Sequence, residues 1–133
     1  MSLLIGKHIE QTLSANQEIV SKIGNRIYPH IICEGTPSYP FVVFVPRGIH
    51  TEYTKDGRNE DNTLVQVSVV SKDYDEMIDI ANLIRYAFDG VSARYEKFRV
   101  NGCKVDSSLE EYIDDIEAYG INIILNFKTN DNG

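Results

Sequence analysis

The side chains of this sequence with the means to do chemistry are a carboxylate run, three histidines, two cysteines and scattered serines. The run is Glu110, Glu111, Asp114, Asp115 and Glu117, set around Leu109, Tyr112, Ile113 and Ile116. Carboxylates this close act as acid–base partners or metal ligands only when two converge in a cleft that perturbs their pKa values. The plainer expectation is a solvated acidic face, the usual fate of a charge run. His8, His30 and His50 lie in different local settings, without His-x-His or His-Glu-x-x-His spacing and without a cysteine beside them. A metal site made from them would depend on the fold alone, so surface or half-buried histidines are expected. Cys33 and Cys103 are far apart and fit no zinc or redox spacing, and isolated thiols of this kind are commonly small buried hydrophobes in a reduced compartment. No serine sits in a Gly-x-Ser-x-Gly setting, and Gly24, Gly35, Gly48 and Gly57 are isolated turn glycines rather than a phosphate loop. No residue is therefore assigned as catalytic, metal-binding or cofactor-binding, and the expectation is a protein that is not an enzyme.

The elements that would position these groups centre on Asn62 to Gly90. Val65, Val67 and Val69 alternate with Gln66 and Ser68, the period of a strand with one buried face. From Asp73 the period changes: Met77, Ala81, Ile84 and Phe88, with Ile80 and Ala87 beside them, make one helical face apolar. Asp73 is a suitable N-cap, Glu76 three residues on fits a capping box, and Gly90 is placed to end the helix in a left-handed turn. Upstream, Ile5, Ile9 and Leu13 mark a first helix, and Asn16 can cap a short second one, Gln17 to Ile23, that Gly24 ends.

Arg26 to Cys33 reads as a short edge strand or the approach to one, because Pro29 cannot donate to a ladder. Phe41 to Val45 is apolar on both faces and reads as a strand covered on at least one side. Between them, Glu34 to Pro40 is a loop. The least core-like stretch is Pro46 to Asn62. It reads as a charged β-hairpin arm turning at Asp56-Gly57, whose second limb leads into the Leu64–Val70 strand. Such an arm is either a surface loop or a contact with another subunit. After the long helix, Val91 to Arg94 is a polar connection. Phe98, Val100, Cys103 and Val105 can alternate around a turn at Asn101-Gly102. Ser107 to Glu117 fits a helical face in part, but strand continuation is preferred, because the β alternation of Tyr119 to Phe127 would pair back on it. The tail from Thr129 is polar.

At 133 residues the chain fits a single domain, 1–133, within the usual roughly 100–150 residues. It needs no disulfide or metal to build a core. A net charge of −7 argues against a nucleic-acid-binding domain, which carries a basic patch. No apolar run approaches the roughly 20 residues of a membrane helix, and the N-terminus lacks the parts of a signal peptide. The protein is expected in the cytoplasm when it is made.

In order along the chain, several pieces together resemble the tail-completion (tail-terminator) family of long-tailed bacteriophages and prophages. They are the N-terminal helix, Ile23-Gly24-Asn25-Arg26-Ile27-Tyr28-Pro29, Tyr39-Pro40-Phe41-Val42-Val43-Phe44, the Val65–Tyr74 run into Glu76–Phe88, and the closing β run Tyr119–Phe127. The long charged arm and the acidic 106–117 region depart from that pattern. The resemblance implies an α+β fold: two layers, a mainly antiparallel twisted sheet with helices packed on one face, in the order α-(short α)-β-β-β-α-β-β. It implies a ring, commonly a hexamer, at the end of the tail tube, which stops tube growth and joins tail to head. Implied partners are further copies of the chain, the tail tube protein and the head–tail connector protein, with no sequence-specific nucleic acid, no membrane and no cofactor. The implied location is the host cytoplasm during assembly, then the virion tail. On this reading Tyr53, Lys55, Arg58 and Glu60 of the arm are candidate interface residues. Glu110, Glu111, Asp114 and Asp115 are candidates for an acidic lumen that keeps passing DNA from sticking. The rival reading is a small α+β ligand-binding or regulatory domain, which needs a concave apolar pocket. A metal-dependent hydrolase or nuclease ranks last.

Overall fold

The computed structural model describes residues 3–30, 38–53 and 59–131, with 50–53 and 59 described by their backbone alone. The first helix, α1, is Ile5–Ala15 and the second, α2, is Gln17–Ile23. Asn16 divides them by accepting from the backbone N–H of Glu18 and Ile19, both at 3.1 Å, so its side chain satisfies two donors that open α2. Strands β1 (Ile27–Pro29), β2 (Phe41–Tyr53) and β3 (Asn59–Ser71) follow, then α3 (Tyr74–Phe88), β4 (Ala93–Arg94), β5 (Phe98–Ile113), a 3-10 turn (Asp114–Ile116) and β6 (Ala118–Asp131).

The six strands form one sheet in the order β1-β2-β3-β6-β5-β4. Only β1 and β2 run parallel; the other neighbours are antiparallel. The expected mixed α+β architecture with a mainly antiparallel sheet is present, with one strand more than the expected order. That strand is β4, two residues opposite Val100 and Arg99, too short to leave a period in the sequence.

The helices cover one face of the sheet. Ile5, Ile9, Leu13, Ile19, Ile23, Met77, Ile80, Ile84 and Phe88 are buried there against Val42, Phe44, Val65, Val67, Val69, Ile123, Leu125 and Phe127. The opposite face carries a polar stripe at its centre. Ser68 Oγ donates to Asn122 Oδ1 at 2.6 Å, and Gln66 Nε2 reaches both groups at 3.2 Å. A smaller apolar cluster sits at one end of that face, where Phe41, Val70 and Ala118 are covered by Tyr28, Tyr39, Val43, Ile113 and Ile116.

Local signals in α3 hold with one change. Asp73 accepts from the N–H of Asp75 at 3.1 Å, and Gly90, at φ 73°, follows the helix end. Glu76 does not close a capping box on Asp73, however. Its carboxylate accepts from Ser71 Oγ at 2.8 Å, while the Asp73 N–H donates to the same Ser71 Oγ at 3.1 Å. Serine thus stands between the two halves of the expected box.

The expected turn at Asn101-Gly102 is a correction. Both residues lie inside β5, where the register against β6 shifts by one between Val100 and Gly102. This β-bulge keeps Val100 and Cys103, three apart, both buried on the helix-covered face. The true reversal lies at 114–117, closed by Glu117 at φ 50°. The preferred strand continuation through 107–113 is therefore correct, and β5 with β6 makes one long hairpin.

Candidate assembly interface

The arm begins where β2 and β3 outrun the rest of the sheet. Their pairing continues to Tyr53 opposite Asn59, two residues beyond Asp61, the last residue of β3 that pairs with β6. Of the four interface candidates, Lys55 and Arg58 lie outside the described residues, and Tyr53 is placed by its backbone at the end of the ladder. Glu60 is half-buried, and its Oε2 accepts from Asn101 Nδ2 at 2.9 Å. That contact ties the base of the arm to the bulge of β5 within one subunit. At the start of the arm the exposed Arg47 lies against Gln66, with Nε and Nη2 both donating to Gln66 Oε1 at 3.1 and 2.8 Å.

Of the acidic residues, Glu110 and Glu111 lie on opposite faces of the sheet. Glu110 pairs with Ile121 and Glu111 with Gly120, and consecutive strand residues point to opposite faces. Glu110 accepts from the Tyr74 hydroxyl of α3 at 2.8 Å, a bond that raises the tyrosine pKa above its ordinary value. Glu111 instead accepts from Asn122 Nδ2 at 3.5 Å, on the face without helices. Asp114 and Asp115 are exposed in the reversal between β5 and β6. Lys72 fastens that reversal to the end of β3: its Nζ donates to the carbonyls of Ile116 and Glu117 and lies 4.9 Å from the Tyr39 ring centroid. The same cation leaves the tip less negative than its sequence suggests.

The remaining chemistry-bearing groups are placed by the core. His8 is a correction to the expected surface or half-buried setting, being only 2% exposed. Its Nδ1 shares a hydrogen bond with the Tyr95 hydroxyl at 2.5 Å, and the edges of Phe88, Tyr95 and Phe127 surround it. His8 Nε2 has no hydrogen-bond partner among the described residues, and burial holds its pKa down at about 4. The sequence did carry a signal: His8 adjoins Ile9 in the i, i+4 apolar stripe. Cys103 is buried as expected, and burial first, then Asp89 and Asp106, pushes its thiol up to about 12. Cys33 lies outside the described residues. No group of three or more His, Cys, Asp or Glu side chains is arranged to hold a metal among the described residues. No described helix is long and apolar enough to cross a membrane.

Sequence reasoning missed the sheet edges. Among the described residues, β1 pairs with β2 only at Val42–Phe44, and no strand flanks 46–53. On the far side, β4 pairs with β5 only at Arg99 and Val100, and the Gly90 N–H reaches the Cys103 carbonyl at 2.8 Å. Among the described residues, 104–113 of β5 have no strand beyond them. Beside that edge runs a groove of about 170 Å³ between α3 and the sheet, lined by Ile78, Ala81, Arg85, Val105, Ile121 and Ile123 among others. A second concavity, about 430 Å³, opens around Ala93, Arg94, Arg99 and Asn101. Leu109 and Tyr112 are exposed large apolar side chains on the free strand, and Tyr74 and Tyr86 are exposed on α3.

No protein-family model matches the chain, and no curated protein matches it. Among solved structures it is similar to a chain of the "Virion of native gene transfer agent (GTA) particle", with a TM-score of 0.80 and 14% sequence identity. The alignment covers 96% of this chain and 98% of that one. At that identity the likeness establishes a shared fold over essentially the whole length of both chains.

Proposed function

We propose that this chain is a structural component of a phage-like particle, and within it a tail-completion protein. Six copies close a ring on the end of the tail tube, stop its growth and present a surface to the head connector. The observation that carries this reading is the near full-length fold agreement with a chain of a gene transfer agent virion. The resemblance of the sequence to tail-completion proteins narrows it. The protein does no catalysis in this role; its work is geometric, through patches related by a rotation that closes. Its partners are further copies of itself, the tube protein and the connector, met in the host cytoplasm and retained in the virion tail. Glu111, Asp114 and Asp115 remain candidates for the lumen, where carboxylates repel passing DNA. Glu110, bonded to Tyr74 on the helix-covered face, is a weaker one.

Native mass spectrometry over a wide concentration series tests the reading. A discrete closed oligomer, a hexamer above all, supports it. A ladder of open oligomers without a closed species counts against a ring. If the chain also fails to cap purified tail tubes, the ligand-binding alternative takes precedence, with the concavity beside Arg94 and Arg99 as its place.

A further inference from the structure

We infer that copies of this chain join head to tail through their sheets, the edge of β5 that no described strand covers in one copy pairing antiparallel with the edge of β2 that no described strand covers in the next. The inference rests on the ring reading above and names the surfaces that make it.

The two edges have matched lengths, eight residues at 46–53 and ten at 104–113. They also have matched polarity. β2 and β5 run antiparallel within one sheet, so rotating a copy about an axis along the strands sets them antiparallel across a junction. The hydrogen-bond phase agrees. The Gly90 N–H on the Cys103 carbonyl marks Cys103 as turned outward on β5; the His30 N–H on the Phe44 carbonyl marks Phe44 as outward on β2. Following the registered pairs past each shift, the alternation turns Val105, Ser108, Glu110 and Tyr112 outward on β5, and Ile49 and Thr51 outward on β2. Pro46 takes an outward position on β2, where its missing N–H costs the internal ladder nothing.

Charge selects the partner. Residues 104–113 carry three carboxylates, Asp106, Glu110 and Glu111, and one lysine, whereas 46–53 carry Arg47 and Glu52. Two β5 edges brought together would set like charges opposite one another, which destabilises a pair. The β2 edge brings no net charge and an exposed arginine. The groove between α3 and β5 then receives side chains of the added strand on its helix-covered face, as strand addition commonly provides pockets for alternate residues. Ile49, opposite Thr63 on that same face, is placed to enter it. Heterologous pairing of this kind leaves each copy with one edge still open, so it propagates until the rotation closes, and closure removes both edges.

Two proline variants and one measurement on the unaltered chain test this. Ser108→Pro removes an outward donor from β5 and Thr51→Pro one from β2, each on a side that makes no ladder bond to a described strand. Each variant alone should remain a monomer, while a 1:1 mixture should give a heterodimer that grows no further. If Thr51→Pro still self-associates and Ser108→Pro does not, β5 pairs with itself and the proposal is overturned. It is overturned equally if both variants assemble as the unaltered chain does. Hydrogen exchange on the unaltered oligomer covers the case of a variant that fails to fold. Amides of Ser108, Glu110 and Tyr112, and of Ile49 and Thr51, should be fast in the monomer and orders of magnitude slower in the oligomer. A closed ring with these amides still fast overturns the edge pairing and leaves the ring reading standing. A chain that stays monomeric to millimolar concentration overturns the edge pairing, and tube capping then tests the ring reading separately.

Discussion

His8 shows how little a residue type says before its surroundings are known. Buried among three aromatic rings, it stays neutral, with its pKa held at about 4 against 6.5 when free. A depressed histidine pKa means that the unfolded chain takes up the proton first. The stabilisation is therefore complete above about pH 6.5 and is lost as pH falls from there towards 4, on the order of 3 kcal/mol in all. Urea denaturation from pH 8 to 4 should show that loss, and His8→Leu, which cannot be protonated, should lack it. Equal pH slopes in the two proteins would place the imidazole in water. Cys103 gives the companion prediction at this scale. With its thiol pushed up to about 12 in a buried site, it should resist iodoacetamide at pH 8 in the folded protein and react once urea unfolds it. Labelling at Cys103 at the rate of a free thiol in native conditions would contradict that burial. Glu110 and Glu111 belong here too. Their separation onto two faces follows from strand parity alone, once 107–113 is read as a strand.

At the scale of elements, periodicity was the dependable signal and single dipeptides were not. The strand into α3 was legible because Val65, Val67 and Val69 must share a buried face and Met77, Ala81, Ile84 and Phe88 must share another. Asn101-Gly102 is a strong turn signal locally, yet a turn there would remove Val100 and Cys103 from the ladder on β6 and expose them. Burial of those side chains outweighs the turn preference, and the surplus residue is absorbed as a bulge. The N-cap of α3 provides a test at this scale. Asp73→Ala should cost about 1 kcal/mol in urea denaturation, because the Asp75 N–H loses its acceptor. Ser71→Ala should cost more than a surface serine does, since one hydroxyl serves both Asp73 and Glu76. An unchanged midpoint in both variants would mean that water replaces these bonds without loss.

At the scale of the molecule, the sheet has helices on one face, a polar stripe on the other and, among the described residues, two stretches of edge without a neighbouring strand. A long exposed edge invites pairing with another chain, and soluble proteins usually block it with charge, proline or a bulge. This chain has all three, with bulges in β2 and β5, Pro46 on β2 and carboxylates on β5. Selective pairing of unlike edges is compatible with those devices, whereas indiscriminate aggregation is not. The arm adds a second test. Lys55→Glu with Arg58→Glu should leave the melting temperature nearly unchanged, as exposed charges contribute little to stability. The same double change should abolish ring formation in native mass spectrometry. A large fall in melting temperature would assign these side chains to the fold of the monomer instead.

The sequence by itself determined which residues are buried together and in what order the elements come. Hydrophobic period, capping residues and positive-φ glycines are properties of neighbours along the chain, and they survive without knowledge of distant contacts. Only the tertiary structure decided that His8 is enclosed, that Glu60 bonds within its own subunit, that Glu110 and Glu111 part company, and that no described strand covers 46–53 of β2 or 104–113 of β5. Each of these depends on strand order and register, which bring together residues tens of positions apart, and no local pattern encodes which strand ends at an edge.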